Sequence, residues 1–418
     1  MKYLRIPYST STSMLIILAW SHIGSAADIT MTDEIEKIEV RHARQPYRGN
    51  AELTSLPQSI SFVSEQLLKD TGVTEFNDTL NFISGAAHQN NFGGLWDSFA
   101  LRGFSGDENL PSSYLINGFS AGRGFSGNRD VSNIANIEIW KGPTSALYGR
   151  GEPGGTINIV TKKPQFEQQG YLQLSAGKFN TYRLEADYTN AISDNIAFRL
   201  NGSIKDAGSF RDAIQSKKLA LTPSVLIKIS DKTHINYEME FIDQQTPFDR
   251  GVVVLNNQET LPASRFLGEE NDGPMNVEAT GHQLVIQHDL TNNWFISAGA
   301  GYRESSLEGF TSDAELSPGR QLLYVDGTTL TRQRRYRDYD AKDLSARVEL
   351  SGETELFNLS HSLLFGADFY DYELHSIQQR WRTAWGSGDD TYSINIYAPK
   401  YGQSQPTPSA MTNRLEEQ

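Results

Sequence analysis

The sequence contains no cysteine. Without a thiol the chain has no disulfide framework, no thiolate metal site and no cysteine nucleophile. Its eight histidines form no HExxH pair or comparable cluster, so a metal site built from histidine is not predicted either. Positive charge is also scarce: 37 Lys and Arg stand against 51 Asp and Glu. The resulting net charge of −14 gives the chain as a whole no attraction for nucleic acid.

Long hydrophobic runs are scarce as well. Hydrophobic residues make up 38% of the 418 residues, and the mean hydropathy is −0.47. A helical membrane bundle is therefore excluded, because it needs repeated apolar runs of about 20 residues. Aromatic residues reach 11% and glycine occurs 35 times. This composition argues against disorder and favours a β protein that is rich in turns.

The N-terminus has the features of a secretory signal peptide, predicted to cover residues 1–27. Lys2 and Arg5 precede a short apolar run at 14–20, and small residues at 25–27 provide a cleavage site. The apolar part is too short to span a bilayer, and a buried N-terminal helix is the alternative. We therefore expect export from the cytoplasm through the Sec pathway.

Residues 166–418 are dominated by alternation of apolar and polar side chains. In 195–205 the apolar residues Ile196, Phe198 and Leu200 share one face, while Arg199 and its polar neighbours share the other. A period of two places each set on one side of a sheet. About nine segments between 170 and 376 follow this pattern.

The spacing of these segments predicts a transmembrane antiparallel β-barrel. Strands of about ten residues carry charged polar faces and aromatic ends, as outer-membrane barrels do. Long connections such as 246–280 and 309–328 are expected at one end of the sheet. Tight turns are expected at the other end, at 178–180, 193–194, 230–231 and 291–293. A soluble β-sandwich is the alternative, since its strands also alternate.

Residues 28–50 read as a polar arm, and residues 51–165 as a compact α+β domain. Helices are predicted near Ser64, with Ser61 or Ser64 as the cap, and over 74–80. Strands are predicted at 99–102, 113–116, 137–140 and 156–161. A GxGxxG pattern at 149–154 leads into the last of these strands. A dinucleotide fingerprint must open a helix, so this pattern does not predict nucleotide binding.

Several motifs in this domain resemble one known family. The run 135–164, centred on Trp140-Lys-Gly-Pro-Thr-Ser-Ala-Leu-Tyr-Gly-Arg-Gly-Glu-Pro-Gly-Gly155, resembles the plug-domain signature of TonB-dependent outer-membrane receptors. Weaker matches occur at 56–60, 101–104, 117–118 and 261–268. The resemblance covers the whole mature chain; it is specific in 56–164 and diffuse in the barrel. It implies a mainly β protein, with a plug domain at 51–165 inside a barrel whose N-terminal part is 166–418.

The number of strands and the last residue predict a truncated barrel. Plugged transporters have about 22 strands, whereas alternation identifies about nine here. The chain ends at Gln418, while barrels of the family end on an aromatic residue. We expect a sheet that stays open and does not migrate as a closed, heat-modifiable barrel, because an open edge in lipid leaves backbone groups unpaired.

The resemblance also implies roles for charged residues. Arg102, Glu138, Lys141 and Arg150 are the charges of the plug signature. Equivalent charges in the family link the plug to the barrel wall or to one another, and holding the plug's own fold is the alternative. They form no arrangement of nucleophile, base and orienting group, so the chain is not predicted to be an enzyme.

The arm contains a segment that resembles a TonB box, Ile38-Glu39-Val40. Its extended, β-branched character suits strand addition to the TonB protein. The following Arg41-His42 departs from the small residues usual in the family, and a flexible linker is the alternative.

Two loops of the domain carry chemistry suited to a bulky anionic metal chelate. The predicted ligand-binding residues are Asn90, Phe92, Trp96, Arg123 and Phe125. For Phe92 and Trp96 the alternative is that their rings simply pack the plug beneath the loop.

From this resemblance we expect a receptor in the cell outer membrane of a Gram-negative bacterium that binds and imports ferric siderophores. Iron would arrive inside the chelator, so no resident cofactor or metal is predicted. TonB, with its inner-membrane energising complex, and outer-membrane lipid are the expected partners. The alternatives are a non-transporting surface receptor, for phage or bacteriocin attachment or for ligand sensing, and TonB-dependent uptake of haem, cobalamin or a glycan.

Overall fold

The computed structural model of the protein describes residues 58–106, 112–121, 125–144, 152–254 and 261–417. The predicted signal peptide, the arm with Ile38, Glu39 and Val40, and the residues Arg123 and Arg150 lie outside this described part. Within it, no helix combines the length and the apolar character needed to cross a bilayer.

Residues 58–165, here called the inner region, form a small α+β fold. Two short α-helices and one 3-10 turn accompany eight strands: β1 Ser59–Ser64, α1 Glu65–Thr71, α2 Phe76–Thr79, the 3-10 turn Leu80–Phe82, β2 Ala86–His88, β3 Phe99–Leu101, β4 Phe104–Ser105, β5 Leu115–Ile116, β6 Phe119–Ser120, β7 Ile134–Lys141 and β8 Gly155–Thr161. They build a five-stranded sheet of order β1-β7-β8-β5-β6 and a three-stranded sheet β2-β3-β4. Only the β5–β8 pairing among these is parallel.

The local signals in this region are largely confirmed. Ser64 caps α1, since its side chain accepts a hydrogen bond from the backbone N–H of Leu67 at 3.2 Å. Gly72 ends the helix in the left-handed conformation (φ 67°). The strand expected at 99–102 stops one residue earlier, because Arg102 has φ 52° and begins a turn. The segment predicted to open a nucleotide site is strand β8, as its sequence indicated.

The inner region has an apolar core of its own. Ile137 and Ile139 of β7 pair across the sheet with Ile159 and Ile157 of β8, and all four side chains are fully buried with Phe76 of α2. Removing such side chains from water is the main stabilising contribution in a small domain, at roughly 1.5–3 kcal/mol each. This core therefore does not depend on the rest of the chain for its apolar contacts.

The remaining strands form one long antiparallel sheet, here called the wall. They are β9 Gln169–Gly177, β10 Thr181–Ser193, β11 Ile196–Gly208, β12 Gln215–Leu221, β13 Ser224–Ser230, β14 Thr233–Thr246, β15 Met275–Asp289, β16 Trp294–Ala314, β17 Thr329–Leu356, β18 Leu359–Trp381, β19 Ser393–Asn395 and β20 Ala410–Glu417. A 3-10 turn (Glu270–Asp272) and a short helix, α3 (Leu323–Asp326), lie in its connections. Strands β12 and β13 act as two halves of one strand, since both pair with β11 and β14. Pro223, which cannot donate to the ladder, separates them.

The two faces of the wall are exposed in the reverse of the order found in soluble proteins. On β10 the charged side chains Arg183 and Asp187 are 5% and 2% exposed, whereas Leu184 and Tyr188 are 37% and 39% exposed. A soluble sandwich buries its apolar face instead. A polar interior with an apolar exterior is the arrangement of a membrane barrel. The predicted fold class is therefore confirmed, and the sandwich alternative is wrong.

One part of the predicted layout is wrong. The turn at 178–180 was expected beside the other tight turns, but consecutive hairpins of an antiparallel sheet lie at alternate ends. It therefore falls at the end that carries the long connections 247–274 and 315–328. A Cβ atom on Gly208, where β11 reaches that end, would lie 2.3 Å from the carbonyl oxygen of Phe179. The turn is tight because Phe179 and Asn180 adopt positive φ angles of 60° and 55°.

Candidate functional site

Buried charges hold the inner region against the polar face of the wall. Three ion pairs join the two: Asp130 with Arg183 (2.8 Å), Arg129 with Glu240 (2.5 Å) and Glu75 with Lys205 (2.6 Å). Asn117 adds hydrogen bonds of 3.0 Å to Gln283 and 3.2 Å to Glu238. We call this set of contacts the polar belt. Nearly every charge in it faces a partner of opposite sign.

The partners within the polar belt compensate one another strongly. Burial alone would raise the pKa of the Asp130 carboxyl, but the nearby Arg183 guanidinium holds it below its ordinary value. By contrast, burial raises the pKa of Asp97 to about 7, although this carboxyl accepts a hydrogen bond from the backbone N–H of Arg129 at 2.9 Å. The inner region thus contains one carboxyl that lacks the charge compensation of the belt.

The predicted plug charges contact other residues of the inner region. Glu138 is buried and accepts hydrogen bonds from Asn158 (3.2 Å) and Trp140 (3.4 Å), and burial raises its pKa to about 7. Lys141 donates to the hydroxyl of Ser84 at 2.7 Å. These contacts support the alternative in which the charges hold the inner region's own fold.

Arg102 is exposed at the turn after β3, where its backbone N–H donates to Gly85 at 2.7 Å. The links to the wall come instead from Glu75, Arg129 and Asp130, which sequence reasoning missed. Arg129-Asp130 could have been noticed as two adjacent charges in a stretch otherwise composed of small, polar and apolar residues.

Three of the predicted ligand residues meet in one aromatic cluster. Phe92, Trp96 and Phe125 are 2%, 3% and 1% exposed. Phe92 stacks on Phe248 of the wall at 5.0 Å between ring centroids, and Phe125 lies 4.7 Å from Tyr339 of β17. Trp96 sits between them, 5.1 Å from Phe92 and 5.3 Å from Phe125. The two predicted loops do converge, but their rings are buried between the inner region and the wall.

The loop that carries Phe92 is fastened to the end of β14 and the connection that follows it. Gln244 donates to the carbonyl of Gly94 at 2.7 Å, and the N–H of Asp249 donates to the carbonyl of Phe92 at 3.2 Å. Gly93 has φ 86°, and a Cβ there would lie 3.2 Å from that of Asp249. Asn90 remains exposed, and its side chain accepts from the N–H of Phe92 at 2.9 Å. A ligand role for these residues stays a prediction.

A group of arginines covers the aromatic cluster on the side of the long connections. We call Arg250, Arg335, Arg337 and Arg380 the arginine cluster. The first three surround the buried carboxylate of Asp313, with N–O distances of 3.5, 3.4 and 3.2 Å. Arg380 of β18 is the register partner of Arg335. This cluster offers several cationic donors toward the interior, where the sequence had predicted one, Arg123.

Sequence reasoning missed the arginine cluster although a signal was present. Residues 332–337 read Arg-Gln-Arg-Arg-Tyr-Arg, four arginines in six positions of one strand. Such a concentration of one charge is a recognised pointer to an anion-binding surface. Across the described residues, no group of three or more His, Asp or Glu side chains is placed to hold a metal ion.

The first testable expectation concerns Trp96. Replacing its buried ring with alanine should destabilise the folded receptor by about 3–5 kcal/mol, because the ring fills the centre of the aromatic cluster. Trp96→Phe is the matched control and should cost far less, since the indole nitrogen has no hydrogen-bond partner among the described residues. Thermal unfolding and ligand affinity are measured on the same samples. A tenfold loss of affinity at unchanged stability would instead assign the ring to the ligand.

Comparison with known proteins gives consistent matches. The family model of the TonB-dependent receptor plug domain matches residues 52–156. The metal-pseudopaline receptor CntO of Pseudomonas aeruginosa (strain UCBPP-PA14) is 33% identical over 93% of this chain and 54% of its own length. The ferrioxamine receptor of Yersinia enterocolitica is 26% identical over 75% of this chain and 44% of its own length. The chain thus spans about half the length of the curated relatives it matches.

Solved structures agree on the fold. The siderophore receptor PiuA from Acinetobacter baumannii superposes with a TM-score of 0.74 at 21% identity, covering 88% of this chain and 53% of that one. The ferric-catecholate import receptor Fiu from Escherichia coli K12, in its closed form, gives 0.72 at 19% identity, over 89% of this chain and 55% of that one. These relatives are named as receptors, in agreement with the expectation that the chain is not an enzyme.

Proposed function

Because this chain belongs to the TonB-dependent receptor family, we propose that it serves as an outer-membrane receptor of a Gram-negative bacterium for a metal chelate of the siderophore type. The inner region acts as the plug and the wall as part of the surrounding barrel. The apolar outer face of the wall contacts lipid, and the chain reaches the membrane after Sec-dependent export. The chelate binds at the end with the long connections and passes the plug toward the periplasm.

The observation that carries this proposal is the nature of the contact between plug and wall. The inner region keeps its apolar core to itself, centred on Ile137 and Ile159, and meets the wall mainly through the polar belt. Separating the two there exposes charges and hydrogen-bonding groups, which water solvates, and leaves the core intact. Such an interface suits a plug that must hold the pore closed and yet rearrange during transport.

The energy for this rearrangement comes from outside the chain. The segment Ile38-Glu39-Val40 has the composition of a strand that TonB could extend by β-augmentation. Force applied to the arm reaches the inner region through β1, which directly precedes α1 and pairs with β7 along its whole length. The polar belt is then the contact that yields.

The nature of the cargo follows from the relatives only in outline. The first relatives are named for metal–pseudopaline and for ferrioxamine. A chelate that wraps its metal fits the lack of a metal-holding cluster among the described residues, because the chelator rather than the protein supplies the metal ligands. We propose a ferric siderophore or a related metallophore complex as the cargo.

The direct test is a panel of metal chelates. Metal–pseudopaline, ferrioxamine B, ferrichrome and a ferric pyoverdine are titrated against the purified receptor, and their accumulation is followed in cells with and without functional TonB. We expect at least one chelate to bind and to accumulate only in cells with TonB. Binding without TonB-dependent accumulation would indicate a non-transporting surface receptor. Failure of every chelate to bind would contradict the proposal.

A further inference from the structure

The arginine cluster carries positive charge that the protein does not neutralise. Arg250, Arg335 and Arg337 share a single carboxylate, Asp313, and Arg380 stands directly opposite Arg335 on the neighbouring strand. Elsewhere on the inner face the charges are balanced: Arg199, for example, forms a two-pronged contact with Asp187 at 2.8 and 3.0 Å. The excess is therefore confined to one place in the wall.

This excess has a cost in the free protein. Like charges directly opposite each other destabilise an antiparallel pair, and a guanidinium cannot relieve the repulsion by losing its proton. The Nε atom of Arg335 is also buried without a hydrogen-bond acceptor among the described residues. An anion placed among these groups would offset the repulsion and supply the missing acceptor.

The aromatic cluster beneath orients the guanidinium groups. The guanidinium carbon of Arg250 lies 5.0 Å from the centroid of the Phe92 ring, and that of Arg337 lies 4.6 Å from the centroid of Phe248. Stacking uses the flat faces of the guanidinium groups and leaves their N–H edges for other partners. A fork of two N–H donors matches the two oxygens of a carboxylate.

The cluster lies outside the bilayer, on the side of the long connections. On β17 the outward side chains Leu344 and Val348 are apolar and exposed (40% and 44%), and Lys342 is the first charged one beyond them. Arg335 lies nine residues beyond Leu344, which is about 30 Å along the strand. An incoming solute therefore meets these arginines before it reaches the plug.

We propose that the arginine cluster binds carboxylate groups of the incoming chelate, so that the receptor selects metal chelates of net negative charge over cationic ones. This inference rests on the proposed function and names the chemical class of its ligand. The aromatic cluster forms the floor of the site and the arginines form its charged wall. Phe92, predicted from sequence as a ligand residue, then acts by supporting Arg250.

Two inert cobalt(III) complexes of opposite charge test the selection. The EDTA complex is an anion with carboxylate groups, and the tris(ethylenediamine) complex is a cation without them; neither releases its metal to the protein. Calorimetric titration of the purified receptor should show binding of the EDTA complex that weakens as NaCl rises, because salt screens the attraction. We expect no binding of the cationic complex.

Substitution of the opposed pair assigns the selection to these residues. Arg335→Gln/Arg380→Gln should weaken binding of the EDTA complex by about tenfold or more, equivalent to about 1.4 kcal/mol. Arg335→Lys/Arg380→Lys keeps the charge and should retain more of the affinity. Arg414→Gln removes an exposed arginine of β20, whose side chain is 73% exposed, and should leave the affinity unchanged. Thermal unfolding of each variant confirms that it is folded.

The outcomes separate this inference from the proposed function. Suppose that a natural chelate of the panel binds, but that the two cobalt complexes bind equally or the Gln variant matches the wild type. The receptor function then stands and the selection by charge is overturned. If the wild type binds no chelate of either sign, the proposed function fails and the inference fails with it.

Discussion

Replacing Ile38 with proline is expected to abolish uptake of the chelate while its binding at the cell surface persists. Proline removes a backbone donor and prevents the extended pairing that β-augmentation by TonB requires. Because the arm is not part of the ligand site proposed at the other end of the receptor, affinity should be unchanged. Accumulation of radiolabelled chelate and binding to intact cells are measured in parallel.

Ile38→Val is the matched control for this substitution. Valine keeps the β-branched side chain and the backbone N–H, so uptake should continue. If Ile38→Pro removed both binding and uptake, the segment would have a role in folding rather than in coupling to TonB. If uptake continued in the proline variant, the predicted contact residues Ile38, Glu39 and Val40 would be excluded as a strand-adding segment.

Replacing Arg183 with methionine is expected to loosen the plug by about 3–5 kcal/mol. Arg183 pairs with Asp130 of the inner region and with Glu185 of its own strand, and its side chain is 3% exposed. Removing it leaves two buried carboxylates without this partner, and an uncompensated buried charge is strongly destabilising. Hydrogen–deuterium exchange should report the loss as roughly a hundredfold faster exchange in β7 and β8, since each 1.4 kcal/mol is about tenfold.

Two further variants give this experiment its meaning. Lys69→Met breaks a surface pair with Glu65 whose side chains are 49% and 33% exposed, and should change exchange by at most a few fold. Arg183→Met/Asp130→Asn removes both partners of the belt pair, and should recover part of the loss because the buried carboxylate of Asp130 is gone. Unchanged exchange of β7 and β8 in Arg183→Met would mean that the polar belt does not hold the plug.

Local features of the chain were predictable because their signals lie within a few residues. The cap at Ser64 and the strand at 156–161 each depend on neighbours in sequence. The alternation across 181–189 and 233–241 identified wall strands because a period of two is a property of one strand alone. The motif at 135–164 connected the inner region to a family for the same reason.

Alternation could not say which face of the wall is buried, since the same period serves a sandwich and a barrel. That choice depends on what covers each face, and the inner region covers the polar one. The tight turn at 178–180 was placed at the wrong end because turn length was used in place of strand direction.

The amino-acid sequence by itself therefore determined the β class, the two-part organisation and the family resemblance. Only the tertiary structure decided which charges pair and which rings are buried. Asp130 and Arg183 are 53 positions apart, and no spacing rule links them. Arg250 reaches Phe92 across a still longer separation, and Arg335 meets Arg380 through the register of two strands. Such contacts are set by how strands align and pack, and a charge or an aromatic ring carries no local mark of the partner it will meet.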